Sequence, residues 1–569
     1  MKIATRTKRR FVSEDLVIDS WEKIEPLFKN LLEKEIYSIE ELENWIANCS
    51  ELNAVLGEDL AWRYIKMNID TTDKNLAKNF HFWIKEISSK TESYFHKINI
   101  KLIEDPFLKD LNQEKYRIYL RTLKNNIKLF REENIPLFTE MGSKEQEHGI
   151  ISGKMSVKFN GKEITMQKAE ELLKDTNRDT REIVYNKISK RRLQDKKSFD
   201  NLFDKLIILR QQIARNAGFK NYRDYMFSSL GRFDYTPQDC SNFHDAISQE
   251  IVPIITSLEK KRKEKLGHQT YKPWDAEVNT DGLASLKPFD GGKELTDKSI
   301  TCLKQLKPYF GECLSTMQEM KHLDLESKKG KAPGQFCYAL NEIGIPFIYM
   351  NAVGSQIDLT MMMHEGGHAI HSFLTGDLEL TYFKDTPAEV AELASMSMEL
   401  LSMDHWDLFY RNKKDLKRAK IKQLERVIYI LPKLAAVDKF QHWIYTNKHT
   451  AKEREEKWLK IEYEFGNQVI NYDNQQDNQA NFWQSIHHIF DNPFYVIEYA
   501  IAQLGAISIW KSYKETGEKA LENYINALKL GYTKSIPEIY ETAGIKFDFS
   551  ASYVKELADF IKEELEKLN

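Results

Sequence analysis

Cysteine is scarce and scattered in this chain. Its five cysteines, Cys49, Cys240, Cys302, Cys313 and Cys337, form no CxxC pair, which leaves no basis for a disulfide framework or a thiolate zinc site. No apolar run approaches the ~18 residues that a membrane-spanning helix needs. The opening "MKIATRTKRRFVSEDL" is basic but has no apolar stretch behind it, so no secretory signal is expected. An excess of one charge is lacking too: 83 basic side chains stand against 86 acidic ones, a net of -3. That balance gives no reason to expect a polyanionic partner. The basic run "EKKRKEKLG" at 259–267 has no aromatic interleaving and reads as a solvated helix face. A soluble, cytoplasmic protein with no membrane and no nucleic-acid partner is expected.

At 569 residues with 41% apolar and 12% aromatic side chains, the chain can bury one large two-lobed core or several smaller ones. From Ser13 to about Arg131 apolar residues recur at helical spacing, as in "WEKIEPLFKNLLEKEI", which predicts a helical lobe. "KMSVKFNGKEITM", residues 154–166, alternates polar and apolar about Asn160-Gly161 and predicts a β-hairpin with a type I′ turn. Loops are expected at "GSKEQEHGIISG", "NTDGLASLKPFDGGKELTD" and "SKKGKAPGQ". The last leads into "FCYAL" and "IPFIYMNAV", which predict a strand pair.

Chemistry enters at "HEGGHAIHSF", residues 364–373. Ser355 with Asp358 predicts an N-cap, and Gly376 a C-cap, so the segment between them should be one helix. Each of its two interior glycines costs roughly 1 kcal/mol relative to alanine. Clearance for the adjacent strand around Phe347 to Met350, or for a peptide paired to it, is the expected reason. On that helix His364 and His368 stand one turn apart, roughly 6 Å along the axis, and can share a tetrahedral cation. Glu365, between them, can reach a water on it. His371 cannot join them, because it lies roughly 10 Å from His364 along the axis, too far for bonds near 2 Å. A packing or outer role is expected for it.

The missing ligand is expected from "DTPAEVAELASMSMELL". Thr386, Pro387 and Glu389 read as a cap, a first-turn proline and a capping-box acid, which leaves Glu392 as the ligand. Glu399, on the same face, can hydrogen-bond a ligating histidine from outside. Two histidines and one glutamate leave a position open for water, the mark of a catalytic rather than a structural zinc. Zinc lowers the pKa of such a water to about 7, and Glu365 is placed to take its proton and pass it to a departing amine.

Further segments, "WRYIKMNIDTTD", "NAGFKNYRDYMFSSLGRFDYTPQDC", "YKPWD", "GQFCYAL", "VAELASMSMELL" and "HIFDNPFYVIEYA", together with HEGGH, resemble the thimet oligopeptidase and oligoendopeptidase F family of zinc metallopeptidases, particularly its bacterial oligoendopeptidase branch. The resemblance implies a mainly α, two-lobed fold with a deep channel, a thermolysin-like zinc core and a small β-sheet. An N-terminal lobe over 1–200 and a catalytic domain over 201–569 are expected. It implies one zinc on His364, His368 and Glu392, Glu365 as general base, and His488, Tyr495 and Tyr499 near the scissile carbonyl. The thimet branch has a further tyrosine seven residues after the first, where this chain has Ala502. The implied activity is internal cleavage of short, unstructured peptides. Two other readings stay open: a zinc carboxypeptidase or dipeptidyl carboxypeptidase, and a non-catalytic peptide-binding protein on the same fold.

Overall fold

The computed structural model describes residues 8–568. Two main apolar cores organise it. One gathers Phe28, Leu42, Trp45, Leu52, Leu102 and Leu120 from the N-terminal helices, and takes in Leu380 and Phe383 from beyond the histidine motif. The other runs from Met155 to Leu565. The chain is mainly helical and two-lobed.

Helix α1 (Ile39–Ile69) is capped by Ser38, whose side chain accepts from the Glu41 N–H. Leu42, Trp45, Ile46, Cys49, Leu52, Val55 and Leu56 make its buried stripe, the spacing an amphipathic helix requires. Its C-terminal half does something else. Glu58 accepts the backbone N–H groups of Glu342 and Ile343 at 2.8 and 2.9 Å, and Ala61 and Ile65 pack with Leu340, Phe347 and Tyr349. The N-terminal lobe thereby braces the strands that precede the histidine helix.

The loop expected at 142–153 is instead the second half of helix α2 (Asn134–Gly153). Tertiary contacts override its three glycines. Leu137 and Met141 pack on the large core, Glu145 accepts from Arg210 at 2.9 Å, and His148 meets the Gln484 carbonyl at 2.9 Å. These positions recur at helical spacing, and the glycines face open space. The hairpin forms as expected from β1 (Ser156–Phe159) and β2 (Lys162–Thr165), with Asn160 and Gly161 both at positive φ, as a type I′ turn demands. The loop expected to reach 297 ends earlier, since a helix begins at Gly291. Helix α3 (Pro237–Ala246) opens on a Thr236–Asp239 capping box.

Strands β3 (Leu323–Glu326), β4 (Phe336–Tyr338) and β5 (Phe347–Ala352) form one sheet in the order β3-β5-β4. The predicted strand pair is β4 against β5, antiparallel, with Phe336 opposite Tyr349 and Tyr338 opposite Phe347. Helix α4 (Gln356–Leu374) follows, then α5 (Ala388–Leu401), α6 (Lys413–Thr446), the short α7 (His487–Asp491) and α8 (Val496–Thr516). From Glu392 to Leu401 every residue of α5 is buried, because α4 and α8 pack on it from two sides. Its alanines and serines permit that approach. Among the described residues no helix is long and apolar enough to cross a membrane, and all five cysteines are free thiols.

Candidate metal centre and active site

The capping box predicted for α4 is present: Ser355 Oγ accepts from the Asp358 N–H at 3.3 Å, and Asp358 Oδ2 accepts from the Ser355 N–H at 2.8 Å. The helix ends at Leu374 with Thr375 as C-cap. The C-cap falls one residue before the expected Gly376, which itself is not at positive φ.

The glycine pair has a different cause from the one expected. A β-carbon on Gly367 would lie 2.6 Å from Ser395 Cα and 2.7 Å from the Ala394 carbonyl oxygen. The close neighbour is therefore the backbone of α5, not strand β5 or a peptide beside it. At Gly366 a β-carbon would make only an ordinary contact, 3.6 Å from Leu303 Cδ1. Strand β5 is also covered on both edges by β3 and β4. The edges of the sheet are β3 and β4, and β4 is the one that borders Glu365, through the Cys337 backbone.

Close approach of α5 to α4 brings three ligand-type atoms together. Glu392 Oε2 stands 3.3 Å from His364 Nε2 and 3.6 Å from His368 Nε2. One donor atom from each of these residues lies within 4.8 Å of the others. The two imidazole side chains remain 13% and 21% exposed, so neither ring is fully enclosed. Two nitrogens and one carboxylate oxygen make a donor set that suits a divalent metal of borderline softness.

The outer contacts orient these donors. His364 Nδ1 donates to Glu399 Oε1 at 2.8 Å, which commits the other ring nitrogen to the cluster. Glu399 Oε2 in turn accepts from Gln423 Nε2 at 2.9 Å and from an Arg426 guanidinium nitrogen at 2.7 Å, both on α6. Ser395 Oγ donates to Glu392 Oε2 at 2.9 Å. Burial pulls the His364 pKa down, but hydrogen bonds to Glu392 and Glu399 outweigh it and lift it to about 10. Burial dominates at His368, which falls to about 4. Glu365 is buried, and desolvation pushes its carboxyl up to about 7, against a hydrogen bond from the Cys337 backbone on β4. His371 is buried away from the cluster, and desolvation brings it to about 3.

Glu389 is not the capping-box acid expected. Pro387 is the N-cap of α5, with no side-chain cap. The Thr386 N–H bonds the Lys384 carbonyl instead. Glu389 turns inward, where Tyr235 Oη donates to its Oε1 at 2.6 Å. It is occupied all the same, one turn before Glu392, by a partner that local sequence does not reveal.

His488, Tyr495 and Tyr499 come together as one group. Ring centroids lie 6.3 Å from His488 to each tyrosine and 5.1 Å between the tyrosines. Burial first, then the Glu392 carboxylate, raises the pKa of both phenols, which keeps them protonated as donors. His488 is on α7, and Tyr495 is the N-cap residue of α8 rather than part of its body. The preceding Phe494 has φ +71°, an uncommon conformation for a bulky residue. Gln441 Oε1 accepts its N–H at 2.7 Å, and Arg232 donates to its carbonyl. Sequence reasoning did not find Ser395, Gln423, Arg426 or Arg232. Of these only Ser395 had a local signal, three residues after Glu392 on one helix.

A helix carrying two histidines and an acid, joined by a glutamate from a second helix, defines the class of HExxH metallopeptidases. The comparisons make this particular. Peptidase family M3 matches residues 171–559, and the Peptidase M3 N-terminal domain matches residues 11–130. The chain belongs to peptidase family M3. An oligoendopeptidase F homolog of Borreliella burgdorferi is 22% identical over 530 residues, covering 89% of this chain and 87% of that protein. Oligopeptidase PepF of Bacillus subtilis is 22% identical over 419 residues, 72% and 60% of the two chains. The solved structure of PZ peptidase A with an inhibitor superimposes with a TM-score of 0.89 at 25% identity, covering 98% of this chain and 99% of the other. This chain is a metalloendopeptidase, with peptides as substrates and a metal cofactor.

Proposed function

We propose that the metal is zinc, held by His364, His368 and Glu392, and that the chain hydrolyses internal bonds of short, unstructured peptides. The observation that carries this is the convergence of the three donor atoms within 4.8 Å, with Glu365 next to His364 in the chain and Glu399 bonded to His364 from outside. When bound, zinc supplies Lewis-acid polarisation of a carbonyl and a water of lowered pKa.

The chain's own groups do the remaining work. Glu365 takes a proton from the attacking water and returns it to the leaving amine, a task that suits a carboxyl with a pKa near the working pH. Tyr495, Tyr499 and His488 face the developing oxyanion, and at least one of them donates to it. Glu399 fixes the His364 ring, and Gln423 and Arg426 fix Glu399. An extended peptide lies along the outer edge of β4 and is thereby oriented across Glu365. An N-terminal lobe extending to about residue 200 forms one wall of a channel over the catalytic domain and excludes folded proteins. Four of the five thiols are buried and all are free, which supports a reducing, cytoplasmic setting.

A quenched fluorescent peptide blocked at both ends tests this reading. Internal cleavage that is lost on chelation and restored by zinc supports it. Cleavage that requires a free terminus, or survives chelation, contradicts it.

A further inference from the structure

Away from the histidine helix, a second set of metal-type donors lies between α3 and α6, buried except for a partly exposed His442. Cys240 and His244 stand one turn apart on α3, and Asp438 and His442 one turn apart on α6. His244 Nε2 lies 2.8 Å and His442 Nε2 3.2 Å from the same oxygen, Asp438 Oδ2. Donor atoms of Cys240, Asp438 and His442 all lie within 4.8 Å of one another. Asp438 is wholly buried, and its other carboxylate oxygen has no hydrogen-bond partner. A buried carboxylate with an orphaned oxygen is costly unless something cationic meets it. Among the described residues its ion-pair partners are the two imidazoles alone. The neighbouring Arg232 is engaged by Glu498 at 2.8 Å and by the Phe494 carbonyl.

We propose that Cys240, Asp438 and His442 bind a second divalent cation, zinc by donor type, with His244 holding Asp438 from outside through its 2.8 Å contact. One sulfur, one carboxylate oxygen and one imidazole nitrogen are all donors that zinc accepts. Metal binding deprotonates the Cys240 thiol and releases that proton to solvent. The dication with one thiolate and one carboxylate is then neutral, which suits a site whose carboxylate is wholly buried. The ion joins two helices that are about two hundred residues apart in the chain (438 against 240). It also sits behind the active site: the His442 ring packs edge-on against Phe494 at 5.4 Å, and Phe494 is the positive-φ residue that precedes Tyr495. The second cation therefore braces the turn that presents Tyr495.

Sulfur distinguishes this site from the one on α4 and α5, whose donors are only nitrogen and oxygen. The test is metal analysis with zinc X-ray absorption on the full chain purified from zinc-supplied cells. Two zinc ions per chain are expected, with sulfur scattering at about 2.3 Å. In the His364→Ala/His368→Ala double variant one zinc should remain, with the sulfur signal strengthened. Adding Cys240→Ser or, separately, His442→Gln should remove it. Cobalt loaded into the double variant should show a thiolate-to-cobalt charge-transfer band. A wild-type chain with a single zinc and no sulfur in its shell overturns the proposal without recourse to any variant, and so does an unchanged metal shell after Cys240→Ser. The fate of the α4 site does not enter either outcome.

Discussion

Gly367 and Ser395 stand so close that a β-carbon on the glycine would lie 2.6 Å from Ser395 Cα. The contact is backbone against backbone across α4 and α5, so no side-chain rotation can relieve it. On the other side Gly505 of α8 faces the Leu393 side chain of α5, where a β-carbon would meet Cδ1 at 2.6 Å. Helix α5 is gripped from both sides, and Glu392 is positioned by that grip.

Gly367→Ala should therefore force α5 away from α4 and carry Glu392 off the two histidines. Overpacking of this kind costs about 1–3 kcal/mol, and metal content should fall with stability. Gly366→Ala, facing only Leu303 at an ordinary distance, should keep both. Thermal unfolding and metal analysis of the two variants check the contrast.

Glu365→Gln should keep the metal and peptide binding while turnover falls by several orders of magnitude, because the amide cannot take a proton. Single-turnover kinetics alongside metal content measure this. Substantial residual kcat would move the base role to another group.

For the donors to the oxyanion, at least one of Tyr495→Phe, Tyr499→Phe and His488→Ala should lower kcat about a hundredfold with KM and metal little changed. Steady-state kinetics on one fluorogenic peptide decides it. Near wild-type kcat in all three would leave this segment a packing role.

Glu498 gives a signed pH prediction. Burial and then the Glu389 carboxylate, against Arg232, push its carboxyl up to about 8, whereas the unfolded value is about 4.3. The folded chain holds the proton longer than the unfolded one. The stabilising contribution is complete below about pH 4 and is lost as pH rises through about 8. Glu498→Gln keeps an acceptor for Arg232 and removes the titration. Melting temperatures at pH 5 and pH 8 should fall less across that interval in the variant than in the wild type. Equal slopes would exclude Glu498 as a contributor.

Local patterns carried far in this chain. The Ser355–Asp358 box predicted the start of α4, Asn160-Gly161 predicted the hairpin, and the motif with its flanking segments predicted which residues cluster. What escaped depends on contacts between distant residues. Tyr235 claims Glu389 from 154 positions away, and nothing near Thr386 announces it. Gln423 and Arg426 reach Glu399 from α6. Residues 142–153 carry loop-forming glycines but are held helical by Arg210 and Gln484. The reason for Gly367 was likewise misplaced onto a strand, because a close helix crossing leaves no trace in local periodicity.

Metal content of four purified variants bears most directly on the central assignment. His364→Ala, His368→Ala and Glu392→Ala should each lose the α4–α5 metal together with peptidase activity. Glu389→Ala, which removes a carboxylate bonded to Tyr235 rather than a donor, should retain that metal. Full metal in Glu392→Ala, or its loss in Glu389→Ala with the fold intact, would contradict the account.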